Sequence, residues 1–232
     1  MNRPELIRPG MFGGIVSADT RRNVFDYHNE VIVAHNASID FVFIGDSITD
    51  MWDLETYFGR SGRRIVNRGI GGDMTPYVKR RFEADVIQLK PTYTVIKIGI
   101  NNTWALDAWN KKDLRTADSI RDELLNDIKD MVQLAMDAGI KPIVCSLLPT
   151  CIATNKQTEA RNDLVIEINK QLKEQTENQN GIFINYHSSM TDNSGKALRE
   201  ELADDGLHPN VLGYDIMAEV LRRELKMHEI EI

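Results

Sequence analysis

Only two of the 232 residues are cysteine, and Cys145 and Cys151 form neither a disulfide framework nor a CxxC redox or zinc pattern. Cys145, inside KPIVCSLLP, reads as a small buried hydrophobe. Long apolar runs are missing too, since no window approaches the roughly 18 uncharged apolar residues of a membrane-spanning helix. Basic residues are outnumbered, 28 against 35 acidic, for a net charge of −7. That balance argues against a nucleic acid or anionic membrane as partner and for simple colloidal solubility. The opening MNRPELIRPGMFGG lacks the apolar core of a signal peptide. A chain already trimmed of its signal would look the same, so location stays open: cytoplasmic as read, secreted or periplasmic if a signal was removed. Internal repeats, low-complexity tracts and Pro/Gly-rich linkers are also lacking. A chain of 232 residues, 42% hydrophobic and 27% charged, fits one large α/β domain better than two small ones.

What is present is alternation. Short apolar runs at 40–44, 64–67, 93–98, 140–147 and 181–185 are rich in Val, Ile and aromatics and bounded by turn residues. They are near-continuous rather than alternating, which is the pattern of strands buried on both faces of a parallel sheet. Between them the spacing predicts helices over 21–36, 75–89, 115–138 and 158–178, with 211–227 closing the chain. In 115–138, Ile120, Leu124, Ile128, Met131, Leu134 and Ala135 fall on one face, and Gly139 follows as a stop. Strand-helix alternation implies right-handed crossovers and a doubly wound α/β sandwich. Ligands of such sheets bind beyond the carboxyl ends of the strands, so the residues just after each run matter most.

Four loops stand out there. They are Gly45-Asp46-Ser47, then NRGIGGDMT over 67–75, GINNTW over 99–104, and DDGLHPN over 204–210. A serine hydroxyl is a poor nucleophile until a base takes its proton. His208 is a candidate base, and Asp205, three residues earlier, is placed to fix its tautomer and stabilise the imidazolium. Acyl transfer also needs donors for a developing oxyanion. The N–H groups of Ser47 and Gly72 and the Asn101 amide are candidates.

Each residue also has a plainer reading. Ser47 can be a helix N-cap with Asp50 three residues on. The glycines can serve a tight turn, Asn101 and Asn102 a strand exit, and His208-Pro209-Asn210 a helix entry. His28 and His35, seven apart on a predicted helix face, read as structural rather than ligating.

Order and spacing together are more specific. GDS after the first strand, the glycines of GIGGD after the second, GIN after the third and DGLHP near the C-terminus resemble the four sequence blocks of the SGNH/GDSL hydrolase superfamily. The stretch NRGIGGDMT…VIKIGINN is most similar to the branch containing bacterial acylhydrolases and the catalytic subunits of platelet-activating-factor acetylhydrolase. The resemblance runs from about Phe41 to Asn210. It implies a flavodoxin-like, three-layer α/β/α sandwich with five parallel strands in the order 2-1-3-4-5. The chain is read as a single domain over 1–232, with residues 1–36, outside the blocks, as an N-terminal extension and helix packed on it. The resemblance further implies a serine esterase without metal or cofactor: Ser47 nucleophile, His208 base, Asp205 acid, and Ser47, Gly72 and Asn101 as oxyanion hole. Subunits of the related branch pair up, which allows a homodimer. Departures are mild: the first block reads GDSIT rather than GDSL, and Arg68 stands where related members carry an apolar residue.

Two rival motifs fail. GDSITD fits the metal-binding GDxxxD of haloacid-dehalogenase-like phosphatases, but no DxDx[TV] motif precedes it. GIGGDM falls short of a dinucleotide fingerprint because Met74 occupies the place of the third glycine. The expected substrate is a small-molecule ester with a short acyl chain, including O-acetyl groups of carbohydrates. Lysophospholipase- or thioesterase-type lipolysis is the alternative, and a non-catalytic binding role a distant third. Asp46, Trp52, Arg68, Trp104 and Pro149 are the expected pocket residues, with Trp109 beside them; for the tryptophans, core packing is an equal explanation.

Overall fold

In the computed structural model, which describes residues 3–232, the five apolar runs are strands. They are β1 (Phe41–Gly45), β2 (Ile65–Gly69), β3 (Tyr93–Lys97), β4 (Lys141–Cys145) and β5 (Ile182–Ile184). The helices are α1 (Arg22–Ala34), α2 (Ser47–Asp50), α3 (Leu54–Phe58), α4 (Thr75–Asp85), α5 (Ala117–Asp137), α6 (Thr158–Asn178), α7 (His187–Met190) and α8 (Val211–Met227). The strands form one parallel sheet in the order β2-β1-β3-β4-β5, the doubly wound α/β arrangement that the alternation predicts. Phe41 stands opposite Ile65 on β2 and Tyr93 on β3. β1 is therefore an inner strand buried along its whole length, which is why its sequence is continuously apolar.

By internal packing the chain groups into two compact units, residues 1–98 with 127–143 and residues 99–126 with 144–232. In the first, Phe43 packs against Trp52 and Phe58 with ring centroids 5.9 and 6.1 Å apart. This aromatic cluster covers one face of β1, and truncating Phe43 to Ala would cost about 3–5 kcal/mol. In the second unit, α6 buries Leu164, Val165, Ile168 and Leu172, and α8 buries Met217, Leu221 and Leu225. These positions recur at three- and four-residue steps.

Three details depart from the sequence-based elements. The predicted helix over 75–89 ends at Asp85 and continues as a 3-10 turn over Ile87–Leu89. Lys90, with φ +50°, then turns the chain into Pro91, which cannot continue a helix. The short helices α2 and α3 have too few residues to show a period. The apolar run over 140–147 outlasts its strand, which stops at Cys145. Residues 146–150 are a buried loop, and α6 satisfies its backbone. Asn169 clamps Leu147, accepting from its N–H at 2.7 Å and donating to its carbonyl at 3.0 Å. Asn162 does the same for Thr150, at 2.8 and 2.7 Å.

Among the described residues, no helix is long and apolar enough to cross a membrane.

Candidate active site

The first group of site residues lies where β1 and β2 end. Asp46, fully buried, caps α2, its Oδ1 accepting the Ile48 N–H at 3.0 Å. Ser47 is thus the first helical residue and not the cap, a correction to the plainer reading of this serine. The cap needs an oxygen two or three residues from its donors, and Asp46 supplies it. The chain leaving β2 passes hard against this helix. A Cβ at Gly69 would sit 2.2 Å from the Asp50 nitrogen, so no other residue fits. A Cβ at Gly71 would lie 3.9 Å from both Ser47 Cβ and Asp50 Oδ2, which puts the turn over the serine. Gly72 holds φ +75°, and a Cβ there would meet Ser17 Oγ at 2.6 Å. The N–H at Gly72 thus belongs to a turn that only glycine can make.

Arginines fix these loops, Arg81 and Arg22 buried and Arg21 half-buried. Arg81 reaches Asp73 at 2.9 Å and Asp85 at 2.9 Å, and donates to the carbonyls of Arg68 at 2.9 Å and Gly45 at 3.2 Å. One guanidinium thereby ties the end of β1, the end of β2 and the residue after Gly72. Burial raises the Asp73 carboxyl, opposed by the Arg81 charge and hydrogen bond. Arg22 joins Asp85 at 2.6 Å. Arg21 binds Asp50 and donates to the Gly69 carbonyl at 3.0 Å.

A second group follows β3. Asn101 lies in a 3-10 turn over Ile100–Leu106. The Trp104 indole N–H donates to Asn101 Oδ1 at 3.1 Å. An indole nitrogen can only donate, so the atom facing it must be the amide oxygen. Arg161, buried on α6, stacks its guanidinium 3.9 Å from the centre of the Trp104 ring. It also donates to Thr103 Oγ1 at 3.1 Å and Asp107 at 2.6 Å. The loop is therefore pinned to α6 by a cation that burial shifts to a lower pKa.

The third group precedes α8. Asp205 Oδ2 and His208 Nδ1 are 2.6 Å apart. The other carboxylate oxygen accepts the N–H groups of Leu207 and His208 at 2.9 and 2.8 Å. Burial raises the Asp205 carboxyl, but the His208 ring and these N–H groups outweigh it and bring it to about 2. Asp205 is thus anionic at neutral pH, and the imidazole is oriented through Nδ1. The helix entry itself is capped by Asn210, whose Oδ1 accepts from Leu212 at 3.1 Å.

The structure brings Ser47 together with the Gly71 turn, Asn101 with Trp104, and Asp205 with His208. The expected pocket residues scatter. Trp52 is 3% exposed and sits in the Phe43–Phe58 cluster, which is the core role. Trp109 is fully exposed. Trp104 stands beside Asn101, while Pro149 and Asp46 are buried. Arg68 lines a trough between α1 and β2. Sequence reasoning missed Arg81, Arg161 and Arg21, whose charges resemble solvated surface until the fold surrounds them.

Residues 43–216 match the GDSL-like Lipase/Acylhydrolase family. The chain belongs to this family. As a GDSL-like acylhydrolase it is a carboxylic ester hydrolase. An acetylxylan esterase from Geobacillus stearothermophilus is 29% identical over 215 residues, 79% of this chain and 92% of the relative. A GDSL-like lipase from Bacteroides thetaiotaomicron superposes with a TM-score of 0.72 at 25% identity, over 88% of this chain and 98% of that one. A variant of an acetyl-xylooligosaccharide esterase from Geobacillus superposes at 0.66, with 25% identity over 81% of this chain and 94% of that one. The GDSL-like fold carries the three residue groups described above on the loops that follow β1, β2 and β3 and on the loop before α8.

Proposed function

We propose that this acylhydrolase removes short acyl groups, acetyl foremost, from carbohydrate hydroxyls through a Ser47–His208–Asp205 triad. The observation that carries the reading is the Asp205–His208 pair. A carboxylate held ionised by two backbone N–H groups grips Nδ1 at 2.6 Å. With Nδ1 engaged, Nε2 is the basic nitrogen, the tautomer a serine esterase needs.

In this reading Ser47 Oγ attacks the ester carbonyl as His208 Nε2 takes its proton. The backbone N–H groups of Ser47 and Gly72 and the Asn101 amide hold the oxyanion. Collapse of the tetrahedral intermediate breaks the bond to the alcohol, which leaves with the proton from His208. Water, deprotonated by the same imidazole, then hydrolyses the acyl-enzyme and restores Ser47. Asp205 stays ionised throughout and stabilises the imidazolium.

The carbohydrate part of the proposal draws on the acetylxylan esterase relative and on the aromatic ring of Trp104 beside Asn101, a surface suited to a sugar face. A panel of acetyl, butyryl and octanoyl esters, run beside acetylated xylo-oligosaccharides, tests it. Highest kcat/KM on acetylated sugars is the expected result. A preference for octanoyl esters would replace it with a lipolytic reading.

A further inference from the structure

Away from Ser47, a cavity of about 660 Å³ opens along the outer edge of β2, under α1. That volume is in the range of small-molecule sites, roughly 300–1,000 Å³. Its walls hold Arg21, Arg64, Arg68 and His28, and no Asp or Glu. Val66 and Arg68 alternate along the strand, so both belong to one face, and Arg64 joins them in the wall just before the strand begins. Opposite them, α1 supplies Phe25 and Ile32 as an apolar floor, with Tyr27 and Val31 exposed at the rim.

Arg68 is the unusual member. It is 2% exposed, yet among the described residues no carboxylate pairs with it. Its guanidinium donates to Asn29 Oδ1 at 2.7 Å and to the Asn67 carbonyl at 3.0 Å, and the buried Nε has no partner. Phe25 lies below it, ring centre 4.8 Å away. Burial lowers its pKa to about 10, with Arg22, Arg81 and Arg21 adding repulsion against the pull of Asp85. The same field reaches His28, whose pKa is lowered by burial and then by Arg68 and Arg21. Neighbouring Arg21 has its own anion in Asp50. Arg64, exposed, has none among the described residues. A buried cation without a counter-ion stabilises a fold less than an apolar residue of its size would. Here it faces a trough with further arginines and an apolar floor, where an anion would supply the missing partner.

We propose that this trough is a binding site for a small carboxylate carried on a ring, its carboxylate meeting Arg68 and Arg64 and its ring lying between Val66 and Phe25. The fork of arginine donors matches a carboxylate, and the apolar floor takes the body of the ligand. Aromatic acids and uronic acids share this chemistry. The site is independent of how Ser47 reacts.

The test is calorimetric titration of the full chain with benzoate and with glucuronate, alongside benzamide as the uncharged control. Saturable binding of at least one of the two acids is expected, with none of benzamide, and the acid that binds identifies the source. Arg68→Met should abolish it, and Arg64→Gln should weaken it by about tenfold, the loss of one charge-assisted contact. Arg64 is exposed, so its variant folds whatever becomes of Arg68→Met. Failure of both acids to bind overturns the proposal. So does equal binding of benzamide, or undiminished benzoate binding in Arg64→Gln and in any folded Arg68→Met.

Discussion

The Trp104 indole N–H, 3.1 Å from Asn101 Oδ1, fixes which end of that side-chain amide is oxygen. The NH₂ group consequently points the other way, as the oxyanion role proposed for Asn101 requires. Trp104→Phe keeps the ring over Arg161 but deletes the N–H. Its expected effect is a fall in kcat with KM little changed. Asn101→Ala alone should cost on the order of 10²–10³ in kcat, the loss of one donor. In that background Trp104→Phe should add almost nothing, because the group it orients is gone. Steady-state kinetics of the two single variants and the double variant check this. Full additivity would mean that Trp104 acts elsewhere.

Arg81 should matter for stability as much as for rate. Arg81→Met takes from the buried Asp73 and Asp85 a charged partner each, Arg22 remaining on Asp85, and breaking such a buried network costs about 3–5 kcal/mol. Denaturant unfolding should register a loss of that size. Below the unfolding transition kcat should fall as well, since the carbonyls of Gly45 and Arg68 lose their shared donor.

Acid titration should expose Asp205. Its folded pKa, about 2, lies below the ordinary carboxylate value near 3.9. The stabilisation it gives is therefore complete above about pH 4 and lost as pH falls towards 2. Asp205→Asn should flatten the stability profile across that window and lower stability at higher pH, where the wild type has the full contribution. The same variant should lower kcat by on the order of 10³–10⁴ at neutral pH, as an imidazole held in the wrong tautomer cannot act as base. A profile identical to the wild type between pH 4 and pH 2 would remove the ion pair from the account.

How far the sequence carries the fold depends on burial. Phe41–Gly45 has both faces covered and reads as a continuous apolar run, so its strand could be found without any structure. The stripe of α5 was legible for the same reason: Ile120, Leu124, Ile128, Met131 and Ala135 are all buried, with Leu134 half-buried. Asp205 and His208 were legible because three residues of a turn suffice to bring their side chains into contact. Trp52 was not, since an indole after a reactive serine can line a pocket or fill a core, and only the Phe43–Phe58 neighbours distinguish the two. Arg81 and Arg161 were invisible: each lies on a helix where arginine normally meets water, and partners distant in sequence, the Gly45 and Arg68 carbonyls for one and Asp107 for the other, complete their burial. Asn162 and Asn169 likewise gave no sign that they would clamp a buried loop.

The central claim, that Ser47 forms the acyl-enzyme, is tested most directly by labelling with a phosphonate ester followed by peptide mass spectrometry. One label per chain on the peptide carrying Ser47 is expected, with none in Ser47→Ala and much slower labelling in His208→Ala. Label on another residue, or an active and labelled Ser47→Ala enzyme, would contradict the account.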